Sequence, residues 1–166
     1  MKKKINVTLL ICLIGLFGSH FINSMGIGSN DIPTITATTT VNQEFEGAYE
    51  VTRVVDGDTI VVNIDNIDTV VRMIGIDTPE SVHPNKDKNT AAGITASDFT
   101  KELLDGESVY LEYDKQRKDK YNRDLAYVYH NDKMVNEILL EEGYAVTMEI
   151  PPNTAHAQEF NEIIAK

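Results

Sequence analysis

Short, mostly apolar segments separated by turn residues follow one another from residue 49 onward. Residues 49–55, 59–64 and 69–76 are three such segments, and their length and β-branched content predict strands. Asp56-Gly57 and Asp65-Asn66 are typical turn residues, and they lie between consecutive segments. Three strands joined by such short turns predict an antiparallel meander.

A helix is predicted after the third strand. Residues 91–104 carry apolar side chains at helical spacing, Asn89 or Thr90 is a suitable N-cap, and Gly106 marks the end. The polar residues 81–89 before it predict a loop that borders any site at the end of the third strand. Four side chains of this helix are expected to face the core: Ile94, Phe99, Leu103 and Leu104.

The second half of the chain mixes strands and helices. It predicts strands at residues 108–113 and 125–130 and helices at residues 134–142 and 155–165. The inner side of the first of these helices is expected to be Val135, Ile138 and Leu139. Five short strands with a helix inserted after the third predict an α+β, mainly β fold. We expect a five-stranded OB-type Greek-key barrel with about three helices packed against it.

The first 46 residues differ in composition from the rest. Residues 1–26 begin with Lys2-Lys3-Lys4 and continue with an apolar run, which is typical of a secretory signal peptide; an uncleaved membrane anchor is the alternative. Residues 27–46 are rich in Ser, Thr and Asn, which predicts a flexible linker or pro-segment, or else an edge strand within residues 34–41. A secreted protein with its globular domain at residues 47–166 is therefore expected.

The charge balance of the chain is acidic. It has 15 Lys and Arg against 26 Asp and Glu, a net charge of −11. Nucleic-acid-binding proteins usually carry a basic surface, so long-range attraction to DNA or RNA should be weak. Basic residues are nevertheless grouped in one segment: Lys115, Arg117, Lys118, Lys120 and Arg123.

Four carboxylates lie at the ends of the first three predicted strands. Asp56 and Asp58 flank a glycine that can adopt the positive φ that a tight turn often needs, and Asp77 and Glu80 follow the third strand. Oxygen ligands of this kind suit Ca²⁺ or Mg²⁺ better than zinc. Arg72 is the only charged residue within the apolar third strand, and a guanidinium beside a cation predicts a phosphate site.

Each of these residues also has a purely structural interpretation. The aspartates could satisfy turn amides, Glu80 could be a surface loop residue, and Arg72 could form a structural ion pair with Asp77. In a regular strand through Ile76, Arg72 and Asp77 would point to opposite faces, so only a twist or bulge would join them. Three histidines share no ligand spacing and are expected to be surface or hydrogen-bonding residues: His83, His130 and His156.

Four short motifs occur in the order seen in one known family. They are Asp56-Gly57-Asp58-Thr59, the Arg72 strand that ends in Asp77-Thr78-Pro79-Glu80, Asp119-Lys120-Tyr121-Asn122-Arg123, and Met134-Val135-Asn136-Glu137. Each motif is weak alone, but four in order with compatible spacing are specific. From roughly Tyr49 to His156 the chain resembles the staphylococcal nuclease (thermonuclease) family.

The resemblance implies the same barrel and a metal-dependent reaction. In the matching positions, Asp58, Asp77 and the backbone carbonyl of Thr78 would bind Ca²⁺. The implied activity is that of a secreted, Ca²⁺-dependent nuclease that hydrolyses phosphodiester bonds of DNA and RNA. It would show little base specificity and give 3′-phosphate products. A monomer without an obligate protein partner is expected.

The resemblance also implies the catalytic and substrate-binding residues. Glu80 would act as the general base or orient the attacking water. Arg72 and Arg123 would stabilise the charge that grows on the phosphate oxygens in the transition state. Lys120 and Tyr121 would bind the terminal phosphate and nucleotide of the substrate.

The chain departs from the family pattern at two places. Asn122 stands where the family commonly has glycine, and asparagine tolerates left-handed backbone geometry better than most residues. The family's aromatic platform for the base is replaced by Met148, Glu149 and Ile150, which should weaken base stacking by ~1–3 kcal/mol per lost stack.

Two other functions compete with the nuclease interpretation. A non-catalytic OB-fold module that binds nucleic acid would share the fold, but such a module typically loses the acids and arginines that this chain retains. A secreted or surface-anchored interaction protein with an acidic face would not need the barrel at all.

Overall fold

The computed structural model describes residues 44–81 and 89–166. The leader predicted at residues 1–26, nearly all of the linker predicted at 27–46, most of the predicted loop at 81–89 and His83 lie outside the described residues. Predictions on those segments stay predictions. Within the described part of the chain, no helix is long and apolar enough to cross a membrane.

The described residues form eight strands and three helices. The helices are α1 (Ala91–Leu104), α2 (Val135–Glu141) and α3 (Ala157–Ile164). The strands are β1 (Phe45–Asp56), β2 (Thr59–Ile64), β3 (Ile67–Met73), β4 (Gly75–Asp77), β5 (Ser108–Glu112), β6 (Asp124–His130), β7 (Lys133–Met134) and β8 (Val146–Met148).

Five of the strands close into a barrel. The order is β3-β2-β1-β5-β6, and a parallel pairing between β3 and β6 joins the two ends. In that pairing Val71 lies opposite Asp124 and Arg72 opposite Leu125. The predicted five-stranded OB-type barrel with three helices is confirmed, and the pairing of β3 with β6 is called the seam below.

The third predicted strand is two strands. β3 ends at Met73, and Gly75 has a φ of +81°, a value that favours glycine because it has no Cβ. The chain then turns away from the barrel as β4 and pairs with β8 instead. The regular strand to Ile76 that the apolar pattern predicted is therefore wrong, because an apolar run does not reveal a change of partner.

Helix α1 packs on the barrel through small residues. Thr90 caps it by accepting a hydrogen bond from the N–H of Gly93, as predicted. Ile94 is 54% exposed, so its predicted place in the core is wrong, while Phe99 and Leu103 pack partly buried against the core. A Cβ on Gly93 would lie 2.2 Å from the carbonyl oxygen of Glu80, so the helix face at that point must be small. The residues that it buries are Gly93, Ala96, Ser97, Thr100 and Leu104.

Helix α2 buries a polar residue together with its apolar side. Val135 and Leu139 are buried as predicted, whereas Ile138 is only half-buried and Leu140 takes a place in the core. Asn136 is fully buried: its Oδ1 accepts from the N–H of Val128 (3.0 Å), and its Nδ2 donates to the carbonyl of Ile74 (2.8 Å). The side chain thereby connects β6 to the turn between β3 and β4.

Helix α3 is attached to the barrel by an apolar and a polar contact. Phe160 is buried, and its ring packs so close to Gly75 that a Cβ on Gly75 would lie only 2.4 Å from a ring carbon. The polar contact, called the His156 cluster below, is centred on a histidine whose ring nitrogens contact two carboxylates. Its members are His156, Glu112, Glu159, Tyr127 and Tyr129.

The His156 cluster favours a protonated histidine. His156 Nε2 lies 3.1 Å from Glu112 Oε1, and Nδ1 contacts Glu159 Oε2. Burial opposes the charge, but the two carboxylates outweigh it and raise the pKa of His156 to about 9. The expectation that this histidine is a hydrogen-bonding residue is confirmed.

Candidate active site

The turn between β1 and β2 places Asp58 beside the end of β4. Its Oδ2 accepts from the backbone N–H (2.9 Å) and the hydroxyl (3.1 Å) of Thr78, and its Oδ1 accepts from the Thr59 hydroxyl (3.0 Å). Gly57 does not use the positive φ that a glycine can adopt; a Cβ there would lie 2.8 Å from the Thr78 hydroxyl oxygen, so the close approach of Thr78 requires the glycine. Asp56 has the structural role weighed above, because it accepts from the Gly57 N–H and the Ser81 hydroxyl.

Arg72 joins the two candidate metal ligands. Its Nη2 lies 3.0 Å from Asp58 Oδ2 and 2.9 Å from Asp77 Oδ1. Its Nη1 donates to the carbonyls of Met73 and Ile76. The guanidinium is thus buried and held on both sides, and the turn at Gly75 is what brings Asp77 to it.

The segment after β4 carries the other predicted acid. Thr78 is buried, and Glu80 is exposed and lines the same cleft as Arg72. The Glu80 carbonyl accepts from the N–H of Thr90 (3.0 Å), so the backbone of Glu80 is tied to the N-cap of α1. The carboxylate of Glu80 is left at the cleft with access to water.

Arg123 is oriented by an aspartate that sequence reasoning gave no role. The Asp119 carboxylate accepts from the N–H groups of Tyr121 (2.8 Å) and Arg123 (2.9 Å) and from Arg123 Nε (2.7 Å). Burial opposes ionisation, but these hydrogen bonds outweigh it and lower the pKa of Asp119. The bond to Nε leaves both terminal nitrogens of Arg123 out of this contact with Asp119. The sequence did contain a signal for this role. Asp119 precedes Asn122, which takes left-handed geometry (φ +65°), and an aspartate at the start of such a turn often accepts from the backbone N–H groups of the turn.

The predicted site residues meet in one cleft and an adjoining groove. The cleft has a volume of about 340 Å³ and is lined by Asp58, Arg72, Asp77, Thr78, Glu80 and Arg123. The groove, of about 570 Å³, shares several of these residues and adds Lys120, Tyr121, Met148 and Ile150. Tyr121 is 68% exposed, with Lys120 Nζ 4.9 Å and the Arg123 guanidinium carbon 5.5 Å from its ring centre. The structure therefore brings together all eight residues that the sequence pointed to.

The donors in the cleft fit a hard cation. Asp58, Asp77 and the Thr78 carbonyl offer only oxygen, the preferred ligand of Ca²⁺. Burial raises the pKa of Asp58 despite the nearby Arg72, so this carboxylate has lost hydration that a cation would replace. No group of three or more His, Cys, Asp and Glu side chains in residues 44–81 and 89–166 is arranged to hold a metal ion. The predicted set contributes only two such side chains, because its third ligand is a carbonyl.

A family model described as "Staphylococcal nuclease homologue" matches residues 70–166 of the chain. This range contains most of the cleft and covers more than half of the sequence. The chain belongs to the staphylococcal nuclease family.

Curated relatives agree with this assignment. The thermonuclease of Staphylococcus intermedius is 44% identical over 151 residues, which is 91% of this chain and 85% of the relative. The thermonuclease of Staphylococcus hyicus is 47% identical over 117 residues, 70% of this chain and 69% of the relative. An SPbeta prophage-derived endonuclease of Bacillus subtilis, YokF, is 47% identical over 113 residues, 66% of this chain but 38% of the relative. The family and the names of these relatives support a nuclease that hydrolyses phosphodiester bonds.

Proposed function

We propose that this member of the staphylococcal nuclease family is a secreted, Ca²⁺-dependent nuclease that hydrolyses DNA and RNA as a monomer. The observation that supports the proposal most is the contact of Arg72 with both Asp58 and Asp77, in a cleft that Glu80 and Arg123 also line. The relatives' names support the reaction class. Secretion rests on the composition of residues 1–26 alone.

Glu80 is the proposed general base. Its carboxylate is exposed at the cleft, where it can accept a proton from the attacking water. The water oxygen forms a bond to phosphorus, and the bond from phosphorus to the 5′ oxygen breaks. The 5′ oxygen leaves with a proton from solvent, and the phosphate remains on the 3′ side.

Arg72 and Arg123 are the proposed groups that stabilise the transition state. A five-coordinate phosphorus carries more negative charge on its equatorial oxygens than the ground state does, so fixed guanidinium groups favour it. Both arginines are fixed before substrate binds, Arg72 by carbonyls and carboxylates and Arg123 by Asp119. Their separation is set by the seam, since Arg72 lies opposite Leu125 in the parallel pairing.

Asp58, Asp77 and the Thr78 carbonyl are the proposed Ca²⁺ ligands. When bound, the ion would neutralise charge on the phosphate and offset the mutual repulsion of the carboxylates in the cleft. Asp58 is held in place for this role by hydrogen bonds from Thr78 and Thr59, which fix its carboxylate plane.

Little base specificity follows from where the proposed contacts lie. The charged groups assigned above would contact the phosphate, the metal or the attacking water, and such contacts carry no sequence information. The groove beside Tyr121 offers Met148 and Ile150 where aromatic rings would stack on a base. Weak stacking on these side chains would leave the backbone contacts dominant.

The test is hydrolysis of single-stranded DNA by the full chain, with Ca²⁺ and with a chelator, beside Glu80→Gln. We expect cleavage only with Ca²⁺, a loss of at least about a hundredfold in kcat for Glu80→Gln, and 5′-hydroxyl and 3′-phosphate ends by mass spectrometry. Glu142→Gln, which changes an exposed glutamate in the turn after α2, is the matched control and should cleave normally.

The same experiment separates the competing functions. DNA binding without cleavage, from protein whose circular dichroism shows it folded, would contradict the enzyme proposal and favour a non-catalytic OB-fold module. Cleavage that a chelator does not reduce would contradict the Ca²⁺ assignment while leaving the nuclease assignment intact. Recovery of the protein in the culture medium, with its leader removed, is the outcome expected for secretion, and retention in the membrane fraction would contradict it.

A further inference from the structure

A basic side chain that none of the roles above uses lines the cleft. Arg53 lies on β1, is exposed, and lines the cleft together with Thr59, Val70 and Arg72. No ion pair with it is found among residues 44–81 and 89–166, in contrast to Arg72, which contacts two carboxylates. Its charge is therefore available to a ligand that enters the cleft.

The strand register fixes where Arg53 points. Arg53 lies opposite Val61 on β2, and Val61 lies opposite Val70 on β3, so these three side chains share one face of the sheet. In the next row on the same face, Thr59 lies opposite Arg72. Two residues along a strand span about 7 Å and neighbouring strands lie about 4.8 Å apart, so Arg53 is one row along and two strands across from Arg72, whose guanidinium is proposed to bind the scissile phosphate.

The two ends of the cleft then carry cations. Arg123 and Lys120 lie beyond Arg72 on the side of the seam, and Arg53 lies on the opposite side, two strands away across β2. A single phosphate needs only Arg72 and Arg123. A second cation on the same face, one row along and two strands across, fits a polyanion whose next phosphate passes over β1 and β2.

The charge of the protein increases the importance of this side chain. With a net charge of −11, the chain repels nucleic acid at long range, and four carboxylates lie at the cleft. Binding must then come from local cations that release counterions from the phosphates. Arg53 is one of three arginines that line the cleft, and it is the most exposed of the three.

We propose that Arg53 forms a second phosphate subsite, which binds the phosphodiester next to the one that is cleaved. The proposal rests on the proposed nuclease function of the same cleft. It assigns the ligand class as the backbone of a single-stranded nucleic acid that extends past the scissile bond. The subsite contributes affinity for long substrates and carries no base preference.

The kinetic test compares a ten-nucleotide single strand, which has neighbouring phosphates, with a dinucleotide, which has one phosphodiester. For Arg53→Gln we expect the ratio of kcat/KM between the ten-mer and the dinucleotide to fall about fivefold at 0.1 M salt. That factor is the counterion-release contribution of one single-strand phosphate contact, whose salt exponent is about 0.7. Lys133→Gln, which removes the same charge at the exposed start of β7 and outside the cleft, should leave the ratio as in the wild type.

A binding test decides the matter without turnover. The affinity of the ten-mer is measured by fluorescence anisotropy at constant Ca²⁺ and at salt concentrations from about 0.05 to about 0.4 M. All variants carry Glu80→Gln, so that the substrate is not cleaved. In a plot of log affinity against log salt concentration, one phosphate contact corresponds to a slope of about 0.7. We expect Arg53→Gln to make the log–log slope shallower by about 0.7, and Lys133→Gln to leave it unchanged. Equal slopes for both variants would overturn the subsite. If wild-type protein cleaves neither substrate, the proposed function fails, and the slopes still decide whether Arg53 binds a phosphate.

Discussion

Replacing Asn136 with alanine tests whether a single buried amide holds the site-bearing turn. The change removes the acceptor for the N–H of Val128 and the donor for the carbonyl of Ile74, at 3.0 and 2.8 Å. Both hydrogen bonds are buried and the side chain has no exposed surface, so water cannot replace it. An orphaned buried polar group costs ~1–3 kcal/mol, so we expect a loss of about 2–6 kcal/mol in the free energy of unfolding.

A second asparagine provides the matched control. Asn153 makes the same pair of bonds to one residue, accepting from the Gln116 N–H and donating to the Gln116 carbonyl, both at 2.8 Å. Gln116 is exposed, so water can reach both groups once the side chain is gone. Asn153→Ala should therefore cost only about 1 kcal/mol.

Urea unfolding followed by circular dichroism measures both variants. Because the chain has no tryptophan, circular dichroism reports unfolding more directly than fluorescence does. We expect unchanged m-values and a midpoint for Asn136→Ala well below that for Asn153→Ala. Equal losses for the two variants would refute the reasoning, because they would show that burial does not set the cost of the orphaned groups.

Three contacts around the cleft and α3 allow further predictions. Asp119→Ala should lower kcat about tenfold with a smaller change in KM, because Arg123 loses the partner of its Nε, and it should add little in an Arg123→Lys background. Gly75→Ala should lose about 2–4 kcal/mol of stability, because Gly75 has a φ of +81° and an added Cβ would overlap the ring of Phe160. Gly106→Ala is the control: its φ is +78°, but a Cβ there has no neighbour within 4 Å, so it should lose about 1 kcal/mol. Stability from His156 should be complete below its unfolded pKa of about 6.5 and be lost as pH rises through about 9, and His156→Gln should remove this loss.

Each of these outcomes has a result that contradicts it. Full additivity of the Asp119 and Arg123 changes in steady-state kinetics would show that the aspartate acts independently of the arginine. Equal unfolding free energies for the two glycine variants would show that the phenylalanine ring moves without cost. Urea midpoints of wild type and His156→Gln that fall in parallel between pH 7 and 10 would assign the alkaline loss to other groups.

The barrel was predictable because its strands and turns are local features. Residues 59–64 and 91–104 were predicted at the bounds that β2 and α1 have in the structure. The division into β3 and β4 was not predictable, since Gly75 lies within an apolar run and its φ of +81° depends on the partner strand β8. The exposure of Ile94 was missed for a related reason, because the close approach of α1 to the Glu80 carbonyl selects small residues over large ones.

The site was predictable in its membership but not in its internal connections. The motifs contained every cleft residue that has a proposed role in the reaction or in metal binding, because each motif stays together on one turn or strand end, whereas Arg53 lies outside them. The sequence left open whether Arg72 and Asp77 meet, and the structure shows that they do. The role of Asp119 was missed because three hydrogen bonds to one carboxylate are a property of the folded turn.

The seam gives the chain a form of latency. Arg72 and the residues after Arg123 lie on strands that are distant in sequence and become neighbours only when β3 and β6 pair. An unfolded chain therefore contains every residue of the site and yet has no phosphate clamp. If the chain is secreted as proposed, a cell that keeps it unfolded until export would not expose its own nucleic acids to cleavage.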